Sequence, residues 1–235
     1  NPGADPITAT LAFARSLLKD DGVLVLAIEN QLGLKYFAGA SEDHTGEAFF
    51  GINDKYTSQS VVTFGRKELE GLIIGAGYAQ TSWYYPFPDY KLPTCVLADS
   101  ASDSATASQL ADLFATADLS DPQRPAHQYF SPDRAWPVMA RNGLVPDMAN
   151  SFLVVCHAGS GTSATDPAEL AWHYSTERHP AFAKQALFRR GPGREITVQR
   201  RAIAAAPRPP VPIALRLEDE EFAPGTLWTS RLGMI

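Results

Sequence analysis

The chain has 235 residues, 45% of them apolar. That is enough for one large domain or two small ones with a sizeable core, and it excludes general disorder. A net charge of −6 argues against nucleic acid or an anionic membrane surface as partner. No apolar run reaches the length of a membrane span and no signal peptide is visible, which points to the cytoplasm.

Asn1 to Pro6 is a turn-forming stretch, and Ile7, Leu11, Ala14 and Leu18 then predict a helix over 7–19. Asp5 is its expected N-cap, with Pro6 at the first helical position. Gly22 closes it. Val23 to Ile28 runs apolar without alternation, the pattern of a strand covered on both faces in a parallel sheet. Helix, glycine turn and buried strand make half of a βαβ unit. Residues 31–63 lack any period and read as a long functional insertion, with one short helix over 32–37. A helix starts near Thr63, uses Leu69, Leu72, Ile73 and Ala76 as its apolar face, and ends at Gly77. Strands follow over 78–85 and 92–98, joined by a turn at 86–89 into an antiparallel hairpin at the sheet edge.

Residues 100–108 are rich in Ser, Ala and Asp and read as a boundary. A helix is expected over 109–117, and then an irregular Pro-rich stretch, 119–150, anchored by Trp136. Strands are expected over 151–157, 170–174, 185–190 and 196–201, the last two joined at Gly191-Pro-Gly193. Residues 204–212 read as an extended Pro/Ala connector. The fold class is therefore α/β: the late strands of an open sheet over 1–100, followed by a smaller, strand-rich α+β domain over 101–235. Cys95 and Cys156 lie in apolar runs, as buried thiols of a reducing compartment do, with a disulfide as the other reading. Both termini read as cut from a longer chain.

Ligands of open α/β sheets bind outside the carboxyl ends of the strands, where Glu29 and Asn30 stand. The following segment holds the densest polar cluster, with Glu42, Asp43 and His44 adjacent. A histidine beside a carboxylate can serve as a general base near neutral pH, and it can equally be a hydrated surface side chain. Asp89, Tyr90 and Lys91 form a second cluster, either a rigid turn or a site where Lys91 meets an anionic group. No cysteine or histidine has metal-ligand spacing, so no metal is expected. No glycine-rich dinucleotide or phosphate loop and no Gly-x-Ser-x-Gly elbow occurs.

The segment Leu18 to Asn30 (LKDDGVLVLAIEN) resembles the region around the fifth strand of class I S-adenosylmethionine-dependent methyltransferases. Residues 32–40 (LGLKYFAGA), 42–46 (EDHTG), 64–69 (FGRKEL) and 84–94 (YYPFPDYKLPT) resemble methyltransferases of multidomain bacterial surface-polysaccharide proteins, often joined to glycosyltransferase modules. Residues 136–138, 141–144, 149–153 and 174–178 are similar to parts of the same long proteins. The resemblance implies a partial Rossmann-like sheet with an antiparallel terminal hairpin. It implies a saccharide acceptor, other modules of the same polypeptide as partners, and S-adenosylmethionine as cofactor. The main cofactor loop is expected upstream of Asn1, so this chain is expected to be incomplete and inactive alone. His44, Asp43 and Glu42 are then the candidate catalytic residues, and Glu29, Asn30, Tyr36, Asp89 and Lys91 shape the acceptor pocket. The competing reading is a non-catalytic module that docks an enzyme or holds a glycan, resting on the strand-rich second half and on Trp136, Trp172, Tyr174 and Trp228.

Overall fold

The computed structural model describes residues 6–58, 60–160, 166–193, 195–203 and 220–221. In chain order the elements are α1 (Pro6–Ser16), β1 (Val23–Glu29), α2 (Leu34–Phe37), α3 (Arg66–Gly75), β2 (Gln80–Phe87) and β3 (Cys95–Ala98). They continue with α4 (Ser104–Asp118), α5 (Pro132–Arg141), α6 (Val145–Met148), β4 (Ser151–His157), β5 (Glu169–Ser175), β6 (Lys184–Arg190), β7 (Ile196–Ala202) and the two-residue β8 (Glu220–Glu221). Asp5, the connector 204–212 and Trp228 lie outside the described residues.

The strands form one sheet in the order β1-β4-β2-β3-β5-β6-β7-β8, with every neighbouring pair antiparallel. The chain is thus mixed α/β around an antiparallel sheet. β1 and β2 run in the same direction, but β4 lies between them and pairs with both, through registers such as Leu26↔Val154 and Trp83↔Val154. The predicted hairpin exists as β2 and β3, but it lies inside the sheet between β4 and β5 and not at its edge, with β2 running into the expected turn and β3 starting later than expected. The sheet continues across residue 100, since β4 completes its first half and β5 joins β3.

Strand alternation sorts the side chains onto two faces. Leu26, Val154 and Trp83 stand in one row on the helix-covered face. There Arg66 of α3 stacks on Trp83 with its guanidinium carbon 5.0 Å from the ring centroid, and the Tyr78 hydroxyl donates to the carbonyl of Leu11 in α1. Farther along, Phe87 stacks on Phe114 of α4 and meets Trp136 of α5 edge-on, with centroids 5.0 and 5.1 Å apart. Burying each such side chain contributes about 1.5–3 kcal/mol. The opposite row, Val25, Val155 and Ser82, has no helix over it among the described residues, and Val25 is 59% exposed. The strand expected to be covered on both faces is therefore covered on one, because the helices pack on one side of the sheet.

The irregular stretch expected over 119–150 contains α5 and α6. Pro132 sits in the first turn of α5, where its missing N–H costs nothing. Pro137 lies inside the helix, next to the fully buried Trp136. The boundary expected over 100–108 instead starts α4, capped by Asp103, whose carboxylate accepts from the Thr106 N–H at 3.0 Å. Cys95 and Cys156 are buried and free, and burial pushes the Cys156 thiol up to about 11. No helix among the described residues is long and apolar enough to cross a membrane.

Candidate functional site

β1 leaves the sheet at Glu29 and turns at Asn30, and that turn is bolted to the start of β4. The Asn30 N–H donates to the Asn150 carbonyl at 3.0 Å, and its side-chain amide donates to the carbonyls of Asp147 and Ala149 at 2.8 and 2.7 Å. Its side-chain oxygen accepts from the Leu32 N–H at 2.9 Å. Asn30 is thereby spent on its own backbone surroundings and anchors the turn. A Cβ at Gly33 would lie 3.0 Å from the Asn150 Cα, so this glycine permits close packing. Asn150 also accepts from the Lys35 N–H at 3.0 Å and donates to Asp118 at 2.8 Å.

Around this anchor three loops bring charges together. Lys91 Nζ donates to Glu29 Oε1 at 2.6 Å and also to the Asp43 carboxylate. The Lys91 N–H donates to Asp89 Oδ1 at 2.6 Å, which folds the 87–91 turn back on itself. Lys35 Nζ donates to Gln123 Oε1 at 2.8 Å and lies 3.6 Å from Asp89. Gln123 in turn donates to Asp43 at 2.8 Å. Glu29, Lys35 and Asp89 are buried, so these charges depend on one another for solvation.

The protonation follows from that burial. Desolvation raises the Glu29 carboxyl above the ordinary range, its hydrogen bond to Asp43 adds to this, and Lys91 opposes it. Burial also works against an ionised Asp43, but hydrogen bonds from Glu29, Lys91 and Gln123 outweigh it and hold that group well below the usual range. Of the two carboxyl groups, Glu29 is therefore the one that takes up a proton more readily as pH falls, and Asp43 the one that stays ionised. Lys91 is held charged by the same two carboxyl groups against its own desolvation.

A second, tighter feature lies beside this network. Glu42 Oε2 accepts from the backbone N–H groups of His44 and Thr45, both at 2.9 Å. Its Oε1 is buried without a hydrogen-bond partner, and so is the Tyr36 hydroxyl. Both residues line one small pocket with Gln31, Phe50, Gly51, Tyr56 and Thr63. A Cβ at Gly51 would lie 2.8 Å from the Tyr56 hydroxyl oxygen, so glycine keeps that wall clear. Burial, then the negative charges of Glu29, Asp43 and Glu42, keep Tyr36 protonated far above ordinary pH. The pocket thus presents one orphaned donor and one orphaned acceptor. His44 itself is exposed, and a ring nitrogen of His44 and carboxylate oxygens of Glu29 and Glu42 all lie within 4.8 Å of one another.

Seven of the eight expected site residues, Glu29, Tyr36, Glu42, Asp43, His44, Asp89 and Lys91, converge here with free or ionic groups, while Asn30 serves as the anchor. Sequence reading missed Lys35, Gln123 and Asn150. Gln123 carried no local signal, whereas Asn150 stood directly before a predicted strand, where a side-chain amide often ties loop backbones. Of the aromatics weighed for glycan stacking, Trp136 is a core residue, and Trp172 lies half-buried with its centroid 5.9 Å from that of Tyr84. No family model, curated protein or solved structure matches the chain.

Proposed function

We propose that this chain carries the acceptor side of an S-adenosylmethionine-dependent methyltransferase that modifies a saccharide in surface-polysaccharide synthesis. The observation that carries the reading is the buried polar basin beyond the carboxyl end of β1, beside which Tyr36 and Glu42 present an unpaired donor and an unpaired acceptor. The shared direction of β1 and β2, with an antiparallel strand of the terminal group beside them, supports it. Among the described residues β1 pairs on one side only, with β4, and part of its outer face is exposed and apolar.

The described residues do not form a cradle for the cofactor. Gly33, which follows β1, serves packing against Asn150, and the surrounding groups are mostly acidic. The steps assigned to this chain therefore concern the acceptor alone. A sugar hydroxyl can donate to Glu42 Oε1 and accept from the Tyr36 O–H at once, which satisfies both orphaned groups. A second hydroxyl of the same sugar, the one that is methylated, gives its proton to His44 at the exposed rim as general base, with Glu29 and Glu42 near enough to stabilise the imidazolium. Lys91 and Lys35 keep the carboxylates in place, which holds the acceptor in one orientation. In this reading the chain works in the cytoplasm beside other modules of the same polypeptide.

The test is transfer of a radiolabelled methyl group to a saccharide acceptor by a polypeptide that joins this chain to a preceding glycine-rich cofactor loop. His44→Ala is expected to lower kcat by about 10²–10⁴-fold, with circular dichroism unchanged. Absence of transfer by the wild-type polypeptide would overturn the methyltransferase reading. An unchanged rate in the variant would remove His44 from it.

A further inference from the structure

We propose that Glu29, Glu42 and His44 form a binding site for a divalent cation of the Mn²⁺ or Mg²⁺ type. One ligand atom from each lies within 4.8 Å of the other two. Donors about 2.0–2.3 Å from a common ion stand at most about 4–4.6 Å apart, so only small side-chain adjustments close the set. Two carboxylate oxygens and one imidazole nitrogen make an oxygen-rich site that leaves positions open for water or ligand.

Two observations separate this cluster from an ordinary acidic surface. Glu42 is only 4% exposed, yet its Oε1 has no partner. A buried carboxylate oxygen left unsatisfied is costly unless something meets it. Independently, the Tyr36 hydroxyl, on a residue 5% exposed, is orphaned and lines the same pocket as Glu42. A hydrated cation answers both: the ion meets Glu42 Oε1, and a water on the ion accepts from the Tyr36 O–H. A lone water would satisfy the same two atoms but would leave the charge of the site unbalanced. Among the described residues the ammonium groups of Lys35 and Lys91 pair with Glu29, Asp43 and Asp89, and neither pairs with Glu42.

While His44 holds an ion it cannot also accept a proton. Cation binding is therefore measured on this chain alone, without cofactor or acceptor, so its outcome is independent of methyl transfer. Mn²⁺ is titrated into the purified, chelator-treated chain and followed by electron paramagnetic resonance, with thermal unfolding recorded in parallel with Mn²⁺ and Mg²⁺. One saturable Mn²⁺ site per chain is expected, with an unfolding temperature that rises with ion concentration. His44→Ala, at an exposed position, and Glu42→Gln should each weaken Mn²⁺ binding by at least about tenfold, the loss that even an outer-shell change brings. Absence of saturable binding by the wild-type chain would overturn the proposal. So would equal affinity in wild type and both variants, which marks adventitious surface binding. Because His44→Ala removes no buried contact, a loss of binding there is not explained by unfolding.

Discussion

Asp118, at the end of α4, is buried against the amide of Asn150, and burial pushes its carboxyl up to about 6 while that hydrogen bond opposes the rise. In an unfolded chain the group titrates near 3.9. The folded state thus binds this proton more tightly than the unfolded one. Its contribution is fully present below about pH 4 and is lost as pH rises through about 6, a loss of about 2–3 kcal/mol by neutral pH. Asp118→Asn keeps an acceptor for Asn150 and removes the titration. Urea unfolding at stepped pH is expected to show a flatter profile between pH 4 and 6 and higher stability at pH 7 than in the wild type. An unchanged slope would assign the pH dependence to other groups, such as Glu29 or Asp121, which burial also raises. Asp118 is informative because its partner lies 32 positions away. Its identity was readable in the sequence, but its environment was not.

At the scale of the element, β1 shows what alternation means when only one face is covered. Leu24, Leu26 and Ile28 pack against the core, whereas Val23, Val25 and Ala27 are exposed. Val25→Thr should therefore change stability by no more than about 0.5 kcal/mol. Phe152→Ala on β4, which removes a fully buried ring packed edge-on against Trp83 at 5.3 Å, should cost about 3–5 kcal/mol. Chemical denaturation of the two variants checks the assignment of faces, and comparable losses would contradict it. β4 to β7 were legible within a residue or so, because Val, Ile, Phe and Tyr runs between turn residues carry their own signal. α5 was not legible: Pro132 and Pro137 mark irregular chain by local rules, and burial of Trp136 between α4 and the sheet overrode them.

The whole molecule depends on β4. It pairs with β1 over seven registers and with β2 over five, so the sheet's first half has no continuous ladder without it. A chain comprising residues 6–100 keeps β1, β2 and β3 but not the strand that joins β1 to the other two. It is expected to show no cooperative thermal unfolding and few protected amides in hydrogen exchange. A cooperative transition in that fragment would restore a domain boundary at residue 100. The same strand carries the site, since Asn150, directly before β4, holds the Asn30 turn and the start of α2 from which Lys35 and Tyr36 project.

What the sequence by itself determined was local: helices from apolar spacing, strands from β-branched and aromatic runs, and a polar exit after Ile28 that marked the basin. Those signals act over a few residues, within one helical turn or one strand pleat. Only the tertiary structure decided that β4 enters between β1 and β2, and that the helices cover one face of the sheet. Likewise, only it joined Lys91 to Glu29 and Asp43, 62 and 48 positions away. Hydrogen bonding between strands and the pairing of buried charges act through space between segments that no local period connects. The polar exit of β1 was thus visible in one dimension, while the network and the paired orphans Tyr36 and Glu42 exist only once three distant loops fold over it.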